Sequence, residues 1–186
     1  MKRLFDLCLA SILGLIFLLP ILFIALVVKL TSNGPVIYWS NRVGRNNKIF
    51  KMPKYRTMFT NTPAVATHLL ENASQHLTPV GSFLRKSSLD ELPQLWSIIK
   101  GDMSFVGPRP ALYNQGDLIA LRSQFGVDKL LPGLTGWAQI NGRDELPIPQ
   151  KVSLDVYYLE HRSFIFDLKV MLLTFLRVIL QHGVTH

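Results

Sequence analysis

The segment Leu7–Val28, LCLASILGLIFLLPILFIALVV, runs for 22 residues without a charge. As one continuous helix it would be about 33 Å long, enough for a hydrocarbon core of ~30 Å. It therefore reads as a membrane segment. A secretory signal also opens on basic residues, as Met1-Lys2-Arg3 does, but its apolar stretch is shorter and ends at a small-x-small cleavage site, which is missing here. Within the run, Pro20 removes a helical hydrogen bond and crowds the preceding turn, which makes it a natural bend point.

The charges on either side say more than the hydropathy. Lys2 and Arg3 precede the run; Lys29, Arg42, Arg45, Lys48, Lys51, Lys54 and Arg56 follow it, and no acid occurs between Asp6 and Glu71. Lys and Arg concentrate in cytoplasmic flanks, so both flanks read as cytoplasmic. A straight span cannot satisfy both. The expectation is a re-entrant helix-break-helix over residues 1–30 that enters and leaves by one leaflet, continuous with a cytoplasmic domain over residues 31–186. A single span with a tolerated Pro kink is the ordinary alternative, and sequence physics alone supports the two about equally.

Composition fits a membrane-bound domain. The 186 residues are 48% hydrophobic and 17% charged, with mean hydropathy +0.25, against a charged share of roughly 25% in an average soluble domain. A disordered tail, a coiled coil and a hydrophilic carrier are excluded. The net charge of +8 and pI near 9.8 imply anionic partners: phosphates, nucleic acid or an acidic membrane face. A lone Cys8 excludes a disulfide framework and a Cys-based metal site.

Beyond the anchor, Pro35–Tyr38 reads as a strand, followed by a basic hairpin through Gly44 and Asn46-Asn47 into Ile49–Met52. The polar stretch Thr60–Thr78 reads as a surface excursion. Leu89, Leu92, Leu95, Trp96 and Ile99 keep three-to-four spacing, which predicts an amphipathic helix over Ser88–Lys100 closed by Gly101. Helices are also predicted near Tyr113–Phe125, Lys151–His161 and Asp167–Leu180, with a Pro/Gly-rich stretch over Leu131–Arg143. The last helix is too short to span and carries Lys169 and Arg177, so it is either a core helix or an amphipathic interfacial one with snorkelling cations. The strand-helix alternation of a doubly wound fold is missing, and the fold class read from this pattern is a mainly helical α+β domain.

Three pieces could carry chemistry. In Arg85-Lys86-Ser87-Ser88-Leu89-Asp90-Glu91-Leu92-Pro93-Gln94-Leu95, Ser88 and Glu91 have capping-box spacing, so two acids complementing a helix N-terminus is the plain explanation. Neighbouring helical residues point roughly 100° apart, which also suits Asp90 and Glu91 to two separate tasks, one nucleophile and one metal ligand. In Gly101–Pro110, Pro108 and Pro110 restrict the backbone around Arg109, a residue type suited to bidentate phosphate binding or to a solvated turn. The third piece, Pro132–Arg143, has glycines that permit close backbone approach and ends in Arg143; a second Asp-Glu-Leu-Pro, Asp144–Pro147, reads as a loop. His68, His76, His161, His182 and His186 lack metal-ligand spacing. Tyr38, Trp39, Phe50, Tyr55 and Phe59 among basic residues could stack single-stranded nucleic acid, but following a membrane segment they are better explained as interfacial anchors.

Taken together the chain resembles the bacterial sugar transferase family, the monotopic polyprenyl-phosphate phosphoglycosyl transferases. The resemblance runs through the Pro-broken apolar segment, Lys54-Tyr55-Arg56-Thr57-Met58, SLDELPQL (Ser88–Leu95), KGDMSFVGPRP (Lys100–Pro110), PGLTGWAQINGR (Pro132–Arg143), LDVYYLEH (Leu154–His161) and FDLK (Phe166–Lys169). It implies the minimal catalytic form at the cytoplasmic face of the bacterial inner membrane. Asp90 would be the nucleophile on the β-phosphate of a UDP-sugar and Glu91 the Mg2+ ligand. Lys54, Arg56, Arg85, Arg109, Gln139 and Arg143 would bind substrate, with Asp155 and Asp167 in support. Polyprenyl phosphate is the implied acceptor. Two departures stand out: the family's Ser-Pro break is Leu19-Pro20 here, and DELPIPQK replaces a common Trp-Glu element, pointing to a UDP-N-acetylhexosamine or a deoxy derivative. Membrane lipid is then a partner and nucleic acid is not; the oligomeric state, a homodimer included, stays open. The competing class is a membrane-tethered basic module that binds nucleic acid or acidic lipid without catalysis.

Overall fold

In a computed structural model, residues 1–63, 72–142 and 146–179 are described. The N-terminal segment is two helices, α1 (Lys2–Ile16) and α2 (Leu18–Thr31), bent by 63°. The break falls at Phe17, three residues before the proline expected to mark it. Pro20 has no N–H to give and its ring meets the carbonyl four residues back, at Ile16, so α1 stops there and Pro20 sits in the first turn of α2, where no intrahelical N–H is needed. Among the described residues no single helix is long and apolar enough to cross a membrane; the bent pair together reaches that length and apolar composition, as a broken span or a re-entrant loop would.

After α2 the hairpin is longer than its sequence signal. Strands β1 (Ile37–Val43) and β2 (Ile49–Tyr55) pair antiparallel, Ile37 opposite Tyr55, through a turn in which Asn46 and Asn47 both take positive φ. A two-stranded sheet leaves each strand an open edge, which admits Pro53. Part of the stretch read as a surface excursion, residues 64–71, lies outside the described residues, as do Arg143 and the rest of 143–145.

The predicted helix over Ser88–Lys100 is three pieces. Helix α3 (Gly81–Lys86) is followed by a 3₁₀ turn, Leu89–Glu91, and by α4 (Gln94–Lys100). Ser88 has φ 57°, left-handed, and its side chain caps nothing, so the capping box does not form. Pro93 is the N-cap of α4, and the chain bridges the gap with tight bonds such as Glu91 N–H to Ser88 O (3.2 Å) and Trp96 N–H to Pro93 O (3.1 Å). Gly101 closes α4 at φ 99°, as expected.

The Pro/Gly-rich stretch is not loop throughout. It holds strand β4 (Gly133–Thr135), parallel to β3 (Ser104–Val106), and the short helix α6 (Trp137–Ile140). Between them α5 is Gly116–Gln124, shorter than predicted. Helix α7 begins at Ile148, earlier than predicted, because Pro149 fits a first helical turn; α8 is Phe164–Ile179. The architecture is α+β and mostly helical.

The main core gathers Ala10 of α1, Met52 of β2, Leu95 and Ile98 of α4, Met103, Phe105, Tyr158 and Val170. Helix α1 thus belongs to the core on one face, while Leu4, Ile12, Leu15 and Ile16 are exposed. Helix α2 buries only Ile24 and Val28, against Tyr55 and Leu84. Tyr55, read from sequence as an interfacial aromatic, is buried and donates its hydroxyl to Ile21 O (2.7 Å). Helix α8 has both an inward stripe at Asp167 and Val170 and an exposed apolar one at Ile165, Leu168, Leu172 and Phe175.

Candidate active site

The 3₁₀ turn sets Asp90 and Glu91 on different sides. Three residues per turn separate neighbours by about 120°, so Asp90 points inward, 7% exposed, while Glu91 lies at the rim. Lys54, near the end of β2, reaches both: Nζ is 2.6 Å from Glu91 Oε1 and 3.8 Å from Asp90 Oδ2. Arg109 Nη1 stands 3.8 Å from the same Glu91 oxygen. Arg85 donates Nε–H to Thr57 Oγ1 (2.9 Å), and its charge acts on Asp90.

These neighbours split the two carboxyls electrostatically. Burial pushes the Asp90 carboxyl above the ordinary range, with Lys54 the largest opposing influence and Glu91 adding to the rise. Burial acts on Glu91 in the same direction, but there Lys54 and then Arg109 win and hold it down at about 2. Glu91 is therefore firmly ionised, whereas Asp90 is a poorly solvated carboxyl whose charged form burial opposes and the neighbouring cations favour.

The loop bearing Arg109 is held by backbone contact that only glycine allows. Gly107 N–H bonds Thr135 O (2.9 Å) and Gly133 N–H bonds Pro108 O (2.9 Å). A Cβ on Gly133 or Gly136 would collide with the Gly107 backbone. The sequence GPRP thus packs directly on PGLTG.

No three His, Cys, Asp or Glu side chains cluster among the described residues. Mg2+ often takes one or two carboxylates and completes its shell with water and substrate phosphates. The adjacent side chains Asp90 and Glu91 have the donor chemistry that such an ion takes.

A family model for bacterial sugar transferases matches residues 1–181. The chain belongs to the bacterial sugar transferase family. It is 40% identical over 184 residues to the "uncharacterized sugar transferase EpsL" of Bacillus subtilis (strain 168), covering 99% of this chain and 90% of that protein. It is also 40% identical to the undecaprenyl-phosphate glucose phosphotransferase of Komagataeibacter xylinus, over 98% of this chain and 36% of that protein. The same identity holds for the UDP-glucose:undecaprenyl-phosphate glucose-1-phosphate transferase of Escherichia coli (strain K12), over 94% of this chain and 39% of that protein.

Of the residues predicted from this bacterial sugar transferase's sequence, Lys54, Arg85, Asp90, Glu91 and Arg109 come together. Arg56 does not join them. It is 4% exposed and donates Nη2–H to Ser32 O (2.8 Å) and Oγ (2.7 Å) at the end of α2. Gln139 is buried in α6 with neither amide atom hydrogen-bonded among the described residues, its Oε1 beside Gly136. Asp155 accepts from Arg122, and Asp167 accepts from Lys2 Nζ (2.6 Å) and Tyr158 Oη (2.6 Å). Arg143 lies outside the described residues.

Sequence reasoning missed Arg42, whose charge also lowers Glu91, and Gln94, buried one turn beyond Glu91 with Nε2 unpaired among the described residues. Gln94 stands inside SLDELPQL, so its position in the motif was a usable signal. Arg122 gave none, being one polar residue of a short helix.

Proposed function

We propose that the chain transfers a phosphosugar from a UDP-sugar to polyprenyl phosphate, giving polyprenyl diphosphosugar and UMP, in two steps through Asp90. In the first, an Asp90 oxygen attacks the β-phosphorus and the bond to the UMP oxygen breaks. The phosphosugar remains on the carboxylate as an acyl phosphate. In the second, the polyprenyl phosphate oxygen attacks the same phosphorus and Asp90 leaves as a carboxylate. The observation that carries this reading is a buried Asp90 carboxylate facing Lys54 and within the field of Arg85 and Arg109. Cations fixed in place offset the charge of the diphosphate and of the leaving UMP without reorganising. Glu91, with Asp90 beside it, would hold Mg2+, whose charge neutralises phosphate oxygens.

The same reading sets the protein on the cytoplasmic face of the bacterial inner membrane. Support comes from the bent α1–α2 pair, its exposed apolar side chains and its flanking cations. Both ends of the pair are held by one domain: Lys2 bonds Val106 O (3.1 Å) and Asp167, and Arg3 bonds Ile98 O and Ile99 O, while α2 runs on into β1. That favours re-entry over a span. An acetamido sugar donor rests on the DELPIPQK variant alone.

The test is UMP release from a panel of UDP-sugars with Mg2+ and polyprenyl phosphate, with trapping of labelled donor. Expected are UMP release, a phosphosugar on the wild-type protein and none on Asp90→Asn. Appreciable turnover by Asp90→Asn with no trapped species would favour direct attack by the lipid phosphate. Salt-dependent nucleic-acid binding with no UMP release would favour the non-catalytic module.

A further inference from the structure

Among the described residues Arg109 is the cation of the site that no helix or strand carries, and the carbonyls around it are tied to the rest of the fold. Prolines at 108 and 110 donate nothing, yet three consecutive carbonyls each accept a bond from a different element. Pro108 O accepts from Gly133 N–H, Pro110 O from Arg42 Nη1 (3.1 Å), and Arg109 O from Arg122 Nη1 (2.8 Å). Arg122 belongs to the last turn of α5. Its other two donors, Nε (2.9 Å) and Nη2 (2.7 Å), both go to Asp155 Oδ2 on α7.

The pair is buried, Arg122 at 7% and Asp155 at 1% exposure. Such a pair loses hydration on both ions, and apolar side chains of the same volume are commonly as stable or more so. What an apolar pair could not supply is a guanidinium held at a fixed angle with an Nη1–H aimed at Arg109 O. Backbone packing on the PGLTG segment fixes Gly107 and Pro108; at Arg109 a small pocket of about 30 Å³ opens, lined by Pro108, Arg109, Pro110 and Arg122 among others, and there the carbonyl is held by the Arg122 bond.

We infer that Arg122, locked by Asp155, is a positioning residue that holds Arg109 beside Glu91 for binding the diphosphate. Among the described residues no hydrogen bond or ion pair joins Arg122 to Glu91 or Asp90; it acts through the Arg109 carbonyl. The role rests on the proposed function above.

The test is a cycle in the full-length protein between Arg109→Ala and the apolar pair Arg122→Met with Asp155→Leu, read as kcat and KM for UMP release, UDP affinity and melting temperature. The expected result is a melting temperature within a few degrees of wild type and a loss of at least tenfold in kcat/KM, a loss that vanishes in the Arg109→Ala background. Should the apolar pair not fold, Asp155→Asn, which keeps the shape and removes the charge, replaces it in the same cycle. Activity within twofold of wild type, or an equal loss with and without Arg109, overturns the inference. If the wild type binds UDP and releases no UMP, the proposed function fails, and the same cycle is scored on UDP affinity, where an Arg109-dependent loss still supports the positioning role.

Discussion

Lys54 Nζ stands 2.6 Å from Glu91 Oε1 and 3.8 Å from Asp90 Oδ2, so one cation serves two carboxylates unequally. Its nearer partner is held at about 2, and its farther partner stays above the ordinary range because burial outweighs the more distant charge. A cation beside an acid favours the charged form, so removing it must raise both midpoints. In metal-free protein, a carbon-13 carboxyl titration of Asp90 is expected to give a midpoint above ~3.9, the unperturbed value. In Lys54→Met that midpoint moves higher. A fall, or no change, would show that Lys54 does not govern Asp90.

Arg3 ties the first turn of α1 to the end of α4, donating to Ile98 O (2.6 Å) and Ile99 O (2.8 Å). Those carbonyls belong to the last turn of α4, where a cation is favoured by the helix dipole. A hydrogen bond to a charged group is worth about 1.5–3 kcal/mol, and these two are shared by one half-exposed guanidinium, so they do not add in full. Arg3→Met should lower stability by roughly 2 kcal/mol in a detergent-solubilised melt. Lys48→Met, on the exposed hairpin turn, should change it by less than about 0.5 kcal/mol.

That pair of residues also shows what the sequence could carry. Lys2 and Arg3 were legible as flanking charge, and the broken apolar run as a bent helix, because both follow from local chemistry. Their partners were not, because Val106, Asp167 and Ile98 lie about a hundred residues or more away and only the fold brings them near. The Asp90-Glu91 pair was legible as a candidate site by its motif, and the structure sets Lys54 and Arg109 against it. Its mounting on a 3₁₀ turn was not, since three-to-four spacing describes a 3₁₀ turn followed by a helix as well as one unbroken helix. Arg56 shows the reverse: read with Lys54 as substrate-binding, it lies against Gly34 and Ser32, turned toward the end of α2.

Glycines separate close approach from mere flexibility. A Cβ on Gly136 would collide with Gly107 O, a backbone atom that cannot step aside, whereas one on Gly14, inside α1, meets nothing within 4 Å. Gly136→Ala should therefore cost several kcal/mol, the range of a forced backbone shift. Gly14→Ala should be neutral or stabilising by up to about 1 kcal/mol through helix propensity. Equal melting temperatures for the two variants would mean that the GPRP and PGLTG segments are not packed backbone to backbone.

Gln94 offers a sharper separation of stability from activity. It is 2% exposed, its Nε2 has no hydrogen-bond partner among the described residues, and it lines a small cavity shared with Arg42, Glu91 and Arg109. A buried donor left unpaired costs about 1–3 kcal/mol, so replacing Gln94 by Leu should leave the melting temperature unchanged or raise it. If that amide is kept for a phosphate oxygen, the same variant must lose turnover, on the order of tenfold for one preorganised donor. Gln94→Leu measured for both quantities decides the matter. A stabilised protein with lowered kcat makes the amide a substrate contact, and a stabilised protein with full kcat makes its burial incidental to the reaction.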